Sequence, residues 1–409
     1  MTDVNQQPLD ATVVPQKSVS GDGVPMAASS GARRSTVLPL LEWSGDRPRV
    51  VPLQRERFEE LRALGQGGMG EVVLLKDHDI ERTVALKRLS ESHDLDRVLR
   101  FVEEIRTVGQ LDHPNIVPLH DVGVDESGRY YFLMKHLQGE TLESVIARLR
   151  QGDRSAHEQY PFQVRVQLFL GILHALSYAH RKGFIHRDLK PANIMVGPFG
   201  QVTVMDWGLA RRFRQPGEAA PSAEQPRSPS SKGLRESDSL LTQAGAVMGT
   251  PLYMSPEQAR GEHETLDPRS DIYSLCVLFH ELLTLRHYLE GRESMEDILA
   301  GVKTVLPSVE DLTEHPAQPR VPAELGWFVL QGLAKEPAKR YPSVDAMVEE
   351  LQRIMSGRIQ VHCQRTLMKR GLHELLMAVD QHPKAVIIGT TAVASLFLTL
   401  IVQALLKWF

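Results

Sequence analysis

The chain has 409 residues, of which 42% are hydrophobic and 24% charged, and its formal net charge is −4. At roughly 150 residues per domain, this length predicts two compact units, or one larger enzyme fold with tails. The average composition excludes a polytopic membrane protein and a wholly disordered chain, and the lack of a net positive charge argues against nucleic acid as a partner. The two cysteines, Cys276 and Cys363, lie far apart and match no metal-ligand spacing, which favours a reducing, cytoplasmic setting.

Residues 1–57 mix Pro, Ser, Gly and Gln without helical or strand periodicity, so they predict a disordered N-terminal arm. The arm has no basic start followed by an apolar core, and a secretory signal is not expected. Strand-like runs follow at 71–75 and 83–86, and amphipathic helical patterns at 95–111, 163–180 and 271–285. A strand-rich front and a helix-rich back predict an α+β architecture in two lobes. Residues 214–239, crowded with Pro, Ser, Glu and Arg, predict a solvated surface insertion.

The segment 385–406 contains 22 residues without a charge. At about 1.5 Å per residue it reaches about 33 Å, enough to cross a hydrocarbon core of about 30 Å, so it predicts a transmembrane helix. A buried helix of the soluble part is the alternative, but such a helix usually shows a polar face. The preceding segment, 356–384, is basic and predicts a cytoplasmic juxtamembrane stretch. Small residues four apart, as in Ala385 and Gly389, are compatible with a homodimer.

A glycine-rich run is the first candidate site. Leu64-Gly65-Gln66-Gly67-Gly68-Met69-Gly70-Glu71-Val72 has the spacing G-x-G-x-x-G-x-V between two strand-like runs, so its backbone amides can approach phosphate oxygens. Taken alone, the run is explained at least as well by a hairpin turn. A dinucleotide-binding fingerprint would need a helix directly after the last glycine, and a strand-like run follows instead.

A lysine and a carboxylate come next. Lys87 ends an apolar strand-like run and, in combination with the glycine loop, is the cation expected to hold the α- and β-phosphates of a nucleotide. The helix that follows offers Glu103 and Glu104 as its partner. Adjacent helical residues point about 100° apart, so only one of the two faces inward. Spacing from Phe101 favours Glu104, with Glu103 as the alternative.

Three further motifs follow in order: His186-Arg187-Asp188-Leu189-Lys190-Pro191-Ala192-Asn193, then Asp206-Trp207-Gly208, then Gly249-Thr250-Pro251-Leu252-Tyr253-Met254-Ser255-Pro256-Glu257. With these motifs in this order, the chain resembles the membrane-anchored, eukaryotic-like serine/threonine protein kinases of bacteria over about 58–355. Asp271 and Arg340 also fall at family positions. The resemblance implies a two-lobed kinase fold with a β-rich N-lobe and an α-helical C-lobe. It also implies ATP and Mg²⁺, with Mn²⁺ as an alternative, as cofactors, and protein serine and threonine hydroxyls as substrates.

The resemblance also assigns roles. It implies that Asp188 orients the substrate hydroxyl and accepts its proton, that Lys190 neutralises the γ-phosphate in flight, and that Asn193 and Asp206 hold the metal ions. Met134 takes the gatekeeper position, and Lys135-His136-Leu137 form the hinge that donates backbone hydrogen bonds to the base. Lys190 and Thr250 follow the serine/threonine pattern, whereas Trp207 replaces the usual Phe.

Regulation is expected in the activation segment, the loop between Asp206 and Glu257. Arg187 marks the subgroup in which a phosphorylated loop pairs with that arginine, and Thr242 is the first candidate for autophosphorylation. Further candidates are Ser237, Ser239 and Thr250. The alternative function is a pseudokinase or scaffold that binds nucleotide without turnover, but such proteins usually lack Lys87, Asp188 or Asp206. A small-molecule phosphotransferase of the same fold would typically lack a substrate-binding loop, which the resemblance places at 249–257. The resemblance places the protein in the bacterial inner membrane with the kinase domain in the cytoplasm.

Overall fold

The computed structural model describes most of the chain from residue 36 to residue 406. The described ranges are 36, 38–44, 46–51, 55–67, 70–90, 95–213, 241–242, 246–247, 251–307, 315–358, 360–361, 364–381 and 383–406. At 40, 41, 44, 241–242 and 246–247, and at several positions after 363, only the backbone is described. Most of the predicted N-terminal arm and the predicted insertion at 214–239 lie outside these ranges.

A short hairpin precedes the first lobe. Strands β1 (Leu40–Ser44) and β2 (Arg47–Val51) pair antiparallel, and the Leu38 N–H donates to Asp79 Oδ1 at 3.2 Å, on the turn that follows the first lobe's second strand. The prediction of disorder through residue 57 is therefore wrong for this part. The hairpin was missed because no apolar-polar alternation marks it; none of its described side chains is buried, and Trp43 is 73% exposed.

The first lobe is a five-stranded antiparallel sheet with one helix. The strands are β3 (Phe58–Gln66), β4 (Gly70–Asp77), β5 (Arg82–Leu89), β6 (Leu119–Val124) and β7 (Tyr130–Lys135), in the spatial order β3-β4-β5-β7-β6. Helix α1 (Leu95–Val108) packs through the buried Phe101 onto Leu89 and Phe132. Side chains alternate across a strand, so every second residue of β5 joins the apolar face while Lys87 lies on the side of α1.

The second lobe is helical, with short strands near the junction with the first. Its helices are α2 (Leu142–Arg150), α3 (Arg154–Gln159), α4 (Phe162–Arg181), α5 (Pro256–Ala259), α6 (Pro268–Thr284), α7 (Met295–Thr304), α8 (Ala323–Gly332) and α9 (Val344–Met355). Its strands are β8 (Glu140–Thr141), β9 (Phe184–Ile185), β10 (Ile194–Val196), β11 (Val202–Val204), β12 (Arg211–Arg212), β13 (Leu241–Thr242) and β14 (Ala246–Val247). The predicted strand-rich front and helix-rich back are thus confirmed.

Helix α6 is the centre of the second lobe. Every residue from Ser270 to Thr284 is buried, as expected for a helix surrounded by other elements. Phe279 stacks on Phe169 of α4 with ring centroids 4.0 Å apart. Gly332 of α8 lies so close to Cys276 that a Cβ there would overlap the sulfur. This packing makes α6 a rigid base for the loops at its N-terminal end.

Two further helices complete the described chain, α10 (Gln364–Gln381) and α11 (Pro383–Leu406). Within the described part of the chain, no helix qualifies by length and apolar character to cross a membrane. The predicted transmembrane span at 385–406 coincides with α11, but several of its positions, among them Ala385, Gly389 and Leu406, have side chains outside the description.

Candidate active site

A buried carboxylate fixes the loop that carries Asp188. Asp271, in the first turn of α6, accepts hydrogen bonds from the N–H of His186 at 2.8 Å, from the N–H of Arg187 at 2.9 Å and from His180 Nε2 at 2.8 Å. Burial raises the pKa of Asp271, but His180 and these amides more than offset it, so the pKa lies below its ordinary value. Arg187 has a φ of +71°, a conformation that costs a non-glycine residue of order 1–3 kcal/mol. The hydrogen bonds to Asp271 hold it there.

Asp188 lies between a cation and an amide. Lys190 Nζ donates to Asp188 Oδ2 at 2.8 Å. Asn193 Nδ2 donates to the Asp188 carbonyl at 2.9 Å and to Oδ2 at 3.3 Å. Because the amide nitrogen of Asn193 is used in this way, its Oδ1 is the atom left to face a cation. The structure thus brings the three side chains of this loop together as an oriented group.

Lys87 reaches carboxylates in both lobes. Its Nζ donates to Glu104 Oε1 at 2.6 Å and to Asp206 Oδ1 at 3.4 Å. Burial lowers the pKa of Lys87, but the two carboxylates more than offset it, so the pKa lies above its ordinary value. Burial raises the pKa of Glu104, and Lys87 offsets this only in part. Of the two glutamates that the sequence left open, Glu104 is the one against Lys87, whereas Glu103 is half-exposed and pairs with Arg106.

The segment after β11 places Asp206 at the cleft. Asp206 has a φ of +55°, and nearly half of its side chain is exposed. Burial of the remainder raises its pKa, but Lys87, with His186 and Lys190, more than offsets this and holds the pKa below its ordinary value. Asp206 therefore stays ionised and open to the cleft, as a cation ligand requires.

Trp207 turns the other way, into the core of the second lobe. It is 1% exposed and lies 4.6 Å from the His186 ring between centroids. Among the described residues, its indole N–H has no acceptor, which costs roughly 1–3 kcal/mol. Packing of the large ring, rather than a hydrogen bond, therefore stabilises the segment that carries Asp206.

The glycine-rich run joins β3 to β4. The physical reason for having glycine differs from one position of the run to another. A Cβ at Gly70 would overlap the carbonyl of Arg88 on the neighbouring strand, so sheet packing requires this glycine. At Gly65 and Gly67, by contrast, a Cβ would meet no protein atom within 4 Å. The open space at these two positions fits the approach of a nucleotide phosphate to the backbone. Gly68 and Met69 lie outside the described residues.

The hinge differs from expectation in one respect. Met134 pairs with Ala85 in the sheet, and the N–H of Lys135 donates to the carbonyl of Pro118 at 3.0 Å. The Lys135 amide is therefore committed within the protein and does not serve a base. Its carbonyl and the backbone of Leu137, which packs against the core of the second lobe, remain for that contact.

Asn193 and Asp206 fit a magnesium ion as partial ligands. Both present oxygen atoms, which Mg²⁺ prefers, and Mg²⁺ commonly takes one or two protein oxygens and completes its shell with water and phosphate. In the part of the chain that is described, no group of three or more His, Cys, Asp or Glu side chains is close enough to hold a metal. Water and the phosphates of a nucleotide would complete the shell around Asn193 and Asp206.

Residues at the start of α5 form hydrogen bonds with the loop that carries Asp188. Ser255 and Gln258 form a capping box at the start of α5, and Gln258 Nε2 donates to the carbonyl of Arg187 at 2.9 Å. Glu257 forms a two-bond ion pair with Arg340, at 2.7 and 2.9 Å. These contacts place the substrate-binding loop directly beside Asp188.

Sequence reasoning missed the positions that support this loop. Tyr253 donates its hydroxyl to Glu281 on α6, and Arg150 donates to the same carboxylate at 3.0 Å. The S-x-x-Q pattern at 255–258 is a recognisable helix start, so Gln258 was detectable. No local pattern marks Glu281 or Arg150, because their partners are distant in sequence.

The candidate phosphorylation sites are described least. The backbone of Thr242 lies in β13, which pairs with β14, but its side chain is outside the described part. Ser237, Ser239 and Thr250 lie outside it altogether. These sites stay predictions.

Comparison with known proteins agrees with this arrangement. The family model of the protein kinase domain matches residues 58–351. The chain is 32% identical to the serine/threonine-protein kinase PknD of Protochlamydia amoebophila over 76% of its length, and 35% identical to a probable serine/threonine-protein kinase of Streptomyces coelicolor over 74%. It spans only 31% and 40% of those two relatives, and 31% of the PknD of Chlamydia abortus. The match over residues 58–351 places the chain in the protein kinase family.

Proposed function

We propose that the protein is an active serine/threonine protein kinase that transfers the γ-phosphate of ATP to hydroxyls of protein substrates. The observation that carries this proposal is the convergence of Lys87, Asp188, Asn193 and Asp206 on one cleft, with Lys87 paired to Glu104 at 2.6 Å. A pseudokinase is disfavoured because each of these groups is present and oriented. The names of the relatives support the choice of serine and threonine as acceptors.

The residues divide the work of the transfer. ATP supplies the phosphoryl group and Mg²⁺ neutralises its charge, so the protein contributes mostly positioning and electrostatic stabilisation. Lys87, held by Glu104, binds the phosphate oxygens. Asp188 accepts a hydrogen bond from the substrate hydroxyl and then its proton, while Lys190, 2.8 Å from Asp188, offsets negative charge beside it.

A direct assay tests the activity. The full chain is incubated with labelled ATP, Mg²⁺ and a generic protein substrate, beside the variant Asp188→Asn, and the labelled amino acids are identified. We expect label on Ser and Thr, lost in the variant. Mass spectrometry of the same samples locates autophosphorylation, which we expect at Thr242 first. Nucleotide binding without any label in the wild-type chain would establish the scaffold function instead.

We propose in addition that α11 anchors the protein in the bacterial inner membrane with the kinase domain in the cytoplasm. Support comes from the 22 uncharged residues at 385–406 and from exposed apolar side chains such as Leu396, Leu398 and Leu400. The hydroxyls of Thr391 and Thr399 donate to carbonyls of their own helix, which satisfies them without water.

A spin label tests this anchor. The full chain with Leu398→Cys, in a Cys363→Ser background, is labelled and placed in lipid nanodiscs. We expect the label to collide readily with oxygen and to be shielded from a water-soluble nickel complex. Ready collision with nickel would reject the anchor.

A further inference from the structure

Helix α10 presents two different faces. It spans Gln364–Gln381 and ends just before α11 begins at Pro383. Side chains three or four residues apart share one face of a helix. Thr366, Lys369 and His373 form one row on this basis, and Met368, Leu372 and Leu376 form another, centred about 90° from the first around the helix. The two rows have different surroundings.

The first row clasps the second lobe. Thr366 is fully buried, and Lys369 Nζ lies 2.9 Å from both carboxylate oxygens of Glu324 on α8. The His373 ring packs on Gly357, which has a φ of +76° and where a Cβ would lie 2.5 Å from the ring. Only glycine fits at that position. These three contacts fix α10 to the kinase domain along about two turns.

The second row faces away from the protein. Met368 is 76% exposed, Leu372 60% and Leu376 55%, and Leu367, which belongs to neither row, is 56% exposed. Removing such side chains from water is favourable. Four large apolar side chains exposed within ten residues mark an interaction surface rather than ordinary scatter.

The charge of the segment 356–384 and the exposed apolar side chains of α11 indicate what covers the Met368, Leu372 and Leu376 row. The segment 356–384 contains five basic residues, Arg358, Arg365, Lys369, Arg370 and Lys384, and two acidic ones, Glu374 and Asp380. Lys369 is paired with Glu324 and Arg370 with Glu374, so the remaining positive charge belongs to Arg358, Arg365 and Lys384, against Asp380. A second copy of the helix would bring this excess of positive charge together. An anionic phospholipid surface offers both an apolar layer and negative charge. The first described exposed apolar side chain of α11, Ile387, follows Leu376 by 11 residues.

We propose that α10 lies in the plane of an anionic membrane surface, with the Met368, Leu372 and Leu376 row in the acyl boundary and the Thr366, Lys369 and His373 row clasping the kinase domain. This proposal rests on the anchor proposed for α11 and adds to it. The kinase domain is then seated on the membrane by its second lobe, rather than hanging from a flexible tether.

Spin labels on α10 test the seat. Full-length chains with Leu372→Cys or Met368→Cys, each with Cys363→Ser, are labelled in nanodiscs with and without phosphatidylglycerol. Cys276 stays in place because it is fully buried. The control is Phe199→Cys, which replaces an apolar residue that is 93% exposed on the kinase domain. Activity on a soluble substrate, unchanged from wild type, shows that each variant is folded.

We expect the ratio of oxygen to nickel accessibility at Leu372 and Met368 to exceed that at Phe199 several-fold in the anionic discs. A ratio equal to the Phe199 ratio would overturn the proposal. Shielding from both reagents with spin–spin broadening would also overturn it, in favour of a second copy of the chain. The Leu398→Cys label reports separately on the membrane insertion of α11. Failure of the proposed placement of α10 and failure of the anchor therefore give different accessibility results.

Discussion

Glu103 and Glu104 are adjacent on α1 and chemically identical, yet their surroundings differ. Glu104 is 3% exposed, with one oxygen on Lys87 and the other without a partner among the described residues. The side chain of Glu103 is 39% exposed and pairs with Arg106. A comparison of Glu103 with Glu104 therefore tests how much the surroundings of a carboxylate contribute to its role.

Glu104→Gln should lower kcat/KM by about 10- to 100-fold, the equivalent of roughly 1.5–3 kcal/mol for a hydrogen bond between charged groups. The amide keeps the size of the side chain but leaves Lys87 with Asp206 alone, at 3.4 Å. Steady-state kinetics with a peptide substrate measure the loss. Glu103→Gln should stay within twofold of wild type, and equal losses in both variants would contradict the assignment.

For single residues, the sequence indicated which side chains belong to the site, but it said less about the contacts that each of them makes. Order and spacing indicated Lys87, Asp188, Asn193 and Asp206, and the structure brings them together in one cleft. The choice between the two glutamates rested on a helical phase counted from Phe101. The commitment of the Lys135 amide to Pro118 was not predictable, because it depends on the register between β7 and the strand preceding it.

At the scale of elements, the substrate-binding loop depends on one buried ion pair. Arg340 donates to both oxygens of Glu257 and also to the carbonyls of Arg269, Ala334 and Lys335. Ser270 donates to Glu257 as well, at 2.7 Å. The pair thus connects α5, the start of α6 and the turn before α9.

Arg340→Met should reduce the free energy of unfolding by about 3–5 kcal/mol, because it leaves the carboxylate of Glu257 buried without its cation. Urea denaturation followed by circular dichroism measures the change. Lys339→Met, beside it on the surface, is the control and should cost less than about 1 kcal/mol.

The double variant Arg340→Met with Glu257→Leu separates the two parts of this effect. It should recover much of the lost stability, since two apolar residues can replace a buried pair. A double variant as unstable as the single one would show that the hydrogen bonds to the three carbonyls dominate instead.

Elements with strong periodicity were predicted well, and exposed ones were not. The pattern at 163–180 corresponds to α4, and 271–285 to most of α6. None of the described side chains of the hairpin β1–β2 is buried, and its sequence shows no hydrophobic periodicity. Helix α10 was expected only as a basic stretch, since its two faces emerge only when its contacts to Glu324 and Gly357 are known.

At the scale of the whole molecule, one histidine makes stability depend on pH. His287 follows α6 and lies 5.4 Å from the Tyr253 ring of the substrate-binding loop between centroids. Burial lowers the pKa of His287 to about 4. The folded protein therefore keeps this ring neutral in a range where the unfolded chain, with an ordinary pKa near 6.5, binds a proton.

Because unfolding takes up this proton, the stabilisation is complete above about pH 6.5 and falls as the pH drops toward 4, by at most about 3 kcal/mol. We expect His287→Gln to flatten the decline of the unfolding free energy between pH 6.5 and 4. Urea titrations at several pH values measure it. An unchanged slope in the variant would place the acid sensitivity elsewhere.

The two-lobed organisation followed from composition and pattern, whereas the long-range ties did not. Lys369 with Glu324 and Gln258 with Arg187 join residues 45 and 71 positions apart. No single-sequence pattern reports such pairs, because each partner alone is an ordinary polar residue.

The burial of Trp207 has an optical consequence. An indole that is 1% exposed emits at the short-wavelength end of the tryptophan range, whereas Trp43, which is largely in solvent, emits at longer wavelength. Any rearrangement that carries the Trp207 ring out of the core shifts its emission to the red at the moment Asp206 moves. The indole that replaces the usual phenyl ring thus gives the segment that carries Asp206 its own fluorescent reporter, without an added label.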